Sequence, residues 1–221
     1  MPIPPALIFD LDGTLTDSKP GILGCLREVL DARNLGDPGP LDRFIGPPVE
    51  QWATELLPDA GPEDQLALAQ DYRACYDRTG WKINSVFDGV RPMLLDLRHQ
   101  AFPLFLCTSK RSDFALRILD HFELTAFFQA IYADQSHFAS HNKADLLASL
   151  LREQSLNPAD CWMIGDRIFD IQAARANRVR SLFAAWGYGP PQEGHQADAV
   201  AAHPADIANL VRSPMPIATP N

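Results

Sequence analysis

Five short apolar runs limit what this chain can fold into more than any other feature. They are Ala6–Asp10, Leu104–Thr108, Ala130–Ala133, Cys161–Gly165 and Ser181–Ala184, with a weaker sixth at Ala199–Ala201. Their length and apolar content predict buried strands. From the second run onward they alternate with helical patterns. "SDFALRILDHF" repeats apolar residues at Phe114, Leu116, Ile118, Leu119 and Phe122, with Ser112 as cap candidate, and "NKADLLASLLREQ" puts Leu146, Leu147, Leu150 and Leu151 on one face. Short connections between alternating strands and helices predict an α/β fold with a Rossmann-like parallel sheet, covered by helices on both faces.

The segment from Pro20 to Ser85 breaks the alternation. "GILGCLREVLDARNLG" spaces Ile22, Leu23, Leu26, Val29 and Leu30 as a helix and stops at Gly36. "VEQWATELL" and "PEDQLALAQDYRACYDRTG" are also helical in period, and no strand is evident among them. The expected organisation is a discontinuous core, 1–18 and 86–221, with a helical cap over 19–85. One mixed domain with leading helices is the alternative. The tail "RSPMPIATPN" is expected to fray or pack loosely.

Composition narrows the function. The 221 residues carry a net charge of −9, so the chain lacks the basic excess that releases counterions from a nucleic acid polymer. No apolar stretch approaches the roughly 20 residues of a membrane span. "MPIPPALIFD" lacks the basic and apolar regions of a secretory signal. Cys25, Cys75, Cys107 and Cys161 form no CxxC pair and are expected as reduced thiols of a cytoplasmic protein.

In a parallel sheet, ligands bind beyond the carboxyl ends of the strands. Polar residues gather at those ends. Asp10 closes the first run and Asp12 follows; Thr108, Ser109 and Lys110 close the second; Lys143 opens the helix after the third; Asp166 and Asp170 follow the fourth. Asp10, Asp12, Asp166 and Asp170 are hard oxygen donors that would repel one another unless a divalent cation such as Mg2+ resolved the conflict. Thr108, Ser109 and Lys143 offer hydroxyl, backbone N–H and ammonium donors that suit a phosphoryl group. A cation, a phosphate cradle and a free carboxylate point to phosphoryl transfer onto an aspartate. A helix N-terminal acid is the alternative for Asp170, and Lys110 is expected as an exposed cation.

These motifs resemble those of the haloacid dehalogenase superfamily: "DLDGT" its first, "CTSK" its second, "NK" its third and "GDRIFD" its fourth. "FIGPP", "YRACYDRTG", "FDGV" and "WGYG" are similar to stretches of its phosphoglycolate phosphatase-like subgroup. The resemblance implies that Asp10 attacks phosphorus, that Asp12 acts as general acid and then base, and that Thr108, Ser109 and Lys143 bind the phosphoryl group. It implies Mg2+ held by the Asp10 side chain, the Asp12 carbonyl, Asp166 and Asp170, the last directly or through water. Asp12 also favours phosphate esters over carbon–halogen bonds, since a halide leaves without a proton. "SHNK" departs mildly from the pattern, with Ser140 and His141 where a basic residue is common. The implied protein is a phosphatase of a small phosphorylated metabolite, phosphoglycolate-like or a 5′-nucleotide, with no nucleic acid polymer or membrane partner, acting as monomer or homodimer. A phosphomutase of the same fold and a non-catalytic binding module are the competing readings.

Overall fold

The computed structural model describes residues 4–47, 49–135 and 142–212. The tail from position 213 on, together with Ser140 and His141, lies outside the described residues. Six parallel strands form the main sheet: β1 (Ala6–Phe9), β4 (Leu104–Arg111), β5 (Ala130–Asp134), β6 (Cys161–Gly165), β7 (Arg180–Ala184) and β8 (Ala199–Ala201). Their order is β5-β4-β1-β6-β7-β8. The first strand is therefore central, with β4 on one side and β6 on the other, so the chain reverses its direction of winding at β1. That reversal opens a crevice beyond the ends of these three strands.

Alternate residues of β1 feed opposite faces, as strand geometry requires. Leu7 and Phe9 pack with Leu104, Leu106, Trp162 and Ile164 against α4 (Val90–His99) and α5 (Ser112–His121). Ala6 and Ile8 pack with Phe105, Cys107 and Met163 against α6 (Lys143–Glu153) and α7 (Ile168–Ala176). The short helices α8 (Pro191–Gly194) and α9 (Ile207–Leu210) lie on either side of β8 in the sequence. The parallel sheet covered on both faces is thus the one the apolar runs predict. β4 runs three residues further than its apolar signal, to Arg111, and its register with β5 slips between Thr108 and Arg111.

Between β1 and α4 lie α1 (Lys19–Ala32), α2 (Val49–Leu56) and α3 (Pro62–Arg78). They bury a second apolar cluster of their own, including Ile22, Leu26, Phe44, Trp52, Leu68, Tyr72 and Tyr76, with Phe114 of α5 closing it from the core side. α1 ends at Ala32, four residues before Gly36, because Asn34 takes the left-handed conformation (φ 54°) that ends the helix. A two-stranded antiparallel ribbon joins the ends of the helical segment, β2 (Thr16–Asp17) with β3 (Ser85–Val86). Strands of two residues have no periodicity to read, so no local pattern marks them.

Cys107 and Cys161 are buried and free. Cys25 and Cys75 correct the expectation of four reduced thiols: they form a disulfide between α1 and α3. The two helices pack side by side and bring the Cα atoms to 5.6 Å, inside the span a disulfide needs. Sequence spacing could not reveal this, because the two residues are 50 apart. Loop closure of that length corresponds to about 4 kcal/mol of stabilisation. Cys25→Ser, or reduction with dithiothreitol, is therefore expected to lower the denaturation midpoint of the helical segment. An unchanged midpoint in the two redox states would contradict this.

Candidate active site

The turn after β1 is built for close approach. Asp10 N–H donates to the Ile164 carbonyl at 2.9 Å, which keeps the strand end in register with β6. Leu15 and Thr16 N–H both return to the Leu11 carbonyl, at 2.9 and 3.0 Å. Gly13 sits in this turn with φ +84°, and a Cβ there would fall 2.3 Å from Asp166 Oδ2. Only glycine meets both demands. Gly165 ends β6 with a similar constraint, since its Cβ would lie 2.0 Å from Asp170 Cγ.

Asp166 is fully buried. Its Oδ1 accepts from the Thr14 hydroxyl at 3.1 Å and its Oδ2 from the Tyr188 N–H at 2.8 Å. Asp170 lies in the first turn of α7 and accepts the Arg167 N–H at 3.0 Å. It is therefore both the helix N-terminal acid of one sequence reading and a member of the acidic cluster of the other. One oxygen from each of Asp10, Asp166 and Asp170 lies within 4.8 Å of the others. Burial and crowding leave their mark on their acidity. Burial, reinforced by Asp170 and Asp12 against the opposing pull of Lys143, pushes Asp10 up to about 6. Burial, with Asp170 and Asp10 adding, pushes Asp166 up to about 8. A buried all-oxygen set that resists ionising is what a hard divalent cation would relieve, so the donors fit Mg2+.

Lys143 opens α6, where Asn142 caps the helix by accepting the Ala144 N–H at 3.0 Å. Its ammonium is buried, 2.8 Å from Asp10 Oδ1 and paired also with Asp170. Thr108 is buried at the end of the apolar part of β4 and Ser109 follows it. Asp10, Asp12, Thr108, Ser109 and Lys143 all line one cavity of about 40 Å3. Asp170 lines it too, and Asp166 adjoins it through the trio with Asp10. Asp12 alone stands apart from the acidic trio. Its carboxylate turns to Lys110, whose ammonium donates to both of its oxygens.

Lys110 differs from its expectation as an exposed cation. Its side chain is only 7% exposed, and its Nζ donates to Asp12 Oδ1 at 3.0 Å, Asp12 Oδ2 at 2.8 Å and the Tyr76 hydroxyl oxygen at 2.7 Å. Two further residues escaped the sequence reading. The Tyr188 hydroxyl donates to Asp17 Oδ1 at 2.8 Å and accepts the Lys19 N–H at 3.0 Å, so this residue links Asp166 to the entry of α1. Arg167 donates to the Ile45 carbonyl and to Glu193 Oε2, tying the loop before α2 to the core. The "WGYG" stretch was a signal for Tyr188; nothing in the sequence marks Arg167 beyond its place next to Asp166.

A second cavity, of about 130 Å3, opens on the far side of Asp12 and Lys110. Trp52, Tyr72, Tyr76, Arg73 and Phe114 line it. The rings pack as a ladder: Trp52 edge-on to Tyr72 at 4.8 Å, Tyr72 stacked on Tyr76 at 5.9 Å, Tyr76 edge-on to Phe114 at 5.0 Å.

This arrangement can be set beside known proteins. The profile of the haloacid dehalogenase-like hydrolases matches residues 7–184. The tyrosine-protein kinase PtkA of Mycobacterium tuberculosis is 36% identical over 190 residues, covering 84% of this chain; the chain spans 64% of that relative's length. A 5′-nucleotidase of Pseudomonas aeruginosa is 33% identical over 215 residues, covering 95% of this chain and 96% of that protein. The solved structure of a haloacid dehalogenase-like hydrolase from Streptococcus pneumoniae superposes with a TM-score of 0.85 at 27% identity, covering 96% of this chain and all of that one. The profile match covers most of the chain, including the turn at Asp10, the strand end at Thr108, Lys143 and the Asp166–Asp170 segment: the chain belongs to the haloacid dehalogenase-like hydrolase family.

Proposed function

We propose that the protein is a Mg2+-dependent phosphomonoesterase that works through an aspartyl-phosphate at Asp10. The observation that carries this reading is the convergence of Asp10, Asp166 and Asp170 with buried Lys143 at the ends of β1 and β6 and the start of α6. The names of related proteins, a phosphoglycolate phosphatase and a 5′-nucleotidase among them, support the same class. Asp10, Asp166, Asp170 and the Asp12 carbonyl would hold the cation, which when bound neutralises charge on the carboxylates and the phosphoryl oxygens.

The chain's own groups account for the rest. A carboxylate oxygen of Asp10 attacks phosphorus, and the bond to the ester oxygen breaks. Asp12 gives its proton to the departing alkoxide, then takes one from the water that attacks the acyl phosphate, restoring Asp10 and releasing phosphate. Lys143 and the Thr108 hydroxyl offset charge on the transferring group. Residues 19–85 serve as a cap that closes the cavity to solvent. The aromatic lining of the outer cavity favours a flat leaving group, so of the two substrate classes a 5′-nucleotide fits better than phosphoglycolate.

The partner is then a small phosphorylated metabolite, acted on by a monomer or homodimer. Among the described residues no helix is long and apolar enough to cross a membrane. A cytoplasmic location is part of this proposal, and the Cys25–Cys75 bond is the feature that bears against it. Cell fractionation with thiol counting decides that point.

A panel of phosphate esters, with Mg2+ and with EDTA, tests the activity. Hydrolysis that EDTA abolishes supports it; isomerisation without phosphate release would mean a phosphomutase, and inertness a binding module. Asp12→Ala is expected to lower kcat on alkyl phosphates by about a hundred- to ten-thousandfold. Near-normal turnover of such an ester by this variant would remove Asp12 from the mechanism.

A further inference from the structure

The outer cavity is lined by charge as well as by rings. Among the described residues three cations line it, Arg73, Lys110 and Arg111. Each is matched by a carboxylate. Lys110 donates to both oxygens of Asp12, Arg111 donates to both oxygens of Asp113, and Arg73 pairs with Glu50. Asp134 adds one more carboxylate to the wall. A leaving group with its own negative charge finds no surplus cation there, and its desolvation goes uncompensated.

The Arg73–Glu50 pair differs from the other two. Lys110 spends all three of its N–H donors, on Asp12 and the Tyr76 hydroxyl oxygen. Arg73 gives one nitrogen, Nη2, to one oxygen, Glu50 Oε1. Among the described residues neither side chain has another hydrogen-bond partner. A guanidinium has five N–H donors and a carboxylate accepts at both oxygens, so donors of Arg73 and Oε2 of Glu50 remain for a ligand. The Arg73 side chain is only 17% exposed, so water does not screen it as it screens a surface ion pair. Glu50 stands in the first turn of α2 and Arg73 on α3, and they share the cavity with Trp52 and Tyr72.

Donors beside an acceptor, with no net charge, fit an uncharged edge that presents a C=O next to an N–H. An amide has such an edge, and so have uracil and guanine. A carboxylate has acceptors only and meets Glu50 as a like charge. We propose that Glu50 and Arg73 are specificity-determining residues: together they bind an uncharged C=O/N–H edge of the leaving group, and Glu50, by neutralising Arg73, rejects anionic leaving groups. This inference rests on the phosphomonoesterase reading above, with the outer cavity as the seat of the leaving group. It sets a 5′-nucleotide ahead of phosphoglycolate on charge, separately from ring stacking.

The test compares two flat esters that differ by one charge, 4-carbamoylphenyl phosphate and 4-carboxyphenyl phosphate, with guanosine 5′-monophosphate alongside. It measures kcat and KM for the full chain with Mg2+, for wild type, Glu50→Gln, Arg73→Met and the double variant, together with melting temperatures. Wild type is expected to show kcat/KM at least about tenfold higher on the carbamoyl ester than on the carboxy ester. Glu50→Gln keeps the size of the side chain and removes its charge. It should lower KM for the carboxy ester about tenfold, the size of one charge-assisted hydrogen bond. It should raise KM for the carbamoyl ester and the nucleotide about threefold, with kcat within about twofold of wild type. Arg73→Met should raise KM for those two esters about tenfold and bring no gain on the carboxy ester. The double variant should lose the gain of Glu50→Gln, because that gain needs the freed guanidinium. A pair that only ties α2 to α3 predicts none of this selectivity. Equal changes on both aryl esters in Glu50→Gln, a wild-type preference for the carboxy ester, or a gain that survives in the double variant would each overturn the assignment. Wild type inert on all three esters would instead defeat the phosphatase reading, and the inference with it.

Discussion

Asp10→Asn is expected to cut phosphate release by at least about ten-thousandfold while the protein stays folded. Removing a nucleophile removes the covalent route entirely, and losses of that order follow where nucleophile and acid–base group act as a unit. The fold should survive because asparagine has the same shape and the backbone bond from residue 10 to Ile164 is untouched. One negative charge leaves a crowded cluster, and Lys143 keeps Asp170 as its partner. Circular dichroism and melting temperature should match wild type. Residual activity near the wild-type level would show that another group attacks phosphorus.

Lys143→Met should lower stability strongly. Lys143 is buried between Asp10 and Asp170. Burial alone would push its ammonium down; the two carboxylates more than reverse that and hold it above its ordinary range. Its stabilising contribution is therefore present throughout neutral pH and fades only above the usual lysine range. Removing the cation strands buried carboxylates, which costs about 3–5 kcal/mol. Urea denaturation in EDTA should record that loss, and Mg2+ should restore part of it by supplying positive charge to the same oxygens. Unchanged stability in EDTA would contradict the pairing.

The wild type carries a related pH signature. Asp10 and Asp166 have folded-state values raised above the unfolded 3.8, to about 6 and about 8. The folded chain thus holds protons that the unfolded chain has already lost, and metal-free stability falls as pH rises from about 4 to about 8. Mg2+ should protect more at pH 8 than at pH 5.

Much of this was legible because burial writes itself into composition. β1 and β6 are buried throughout and read as unbroken apolar runs, and α1 to α3 announce themselves by helical spacing. The acids and Lys143 were legible because each follows a strand or opens a helix at the same edge of the sheet. What was hidden depends on contacts between segments distant in sequence. Lys110 looks like any lysine after a strand until Tyr76, 34 residues away, closes over it. Asp12 seemed a fourth member of the acidic cluster until Lys110 turned its carboxylate aside. The Cys25–Cys75 bond and the β2–β3 ribbon likewise arise from packing that no local pattern records.

The central claim is that Asp10 itself carries the phosphoryl group during turnover. Acid quenching of wild type during turnover of a phosphomonoester, then peptide mapping, examines it most directly. The account predicts phosphate on the peptide containing Asp10, reducible by borohydride as an acyl phosphate and missing from Asp10→Asn. Phosphate trapped on any other residue would contradict it.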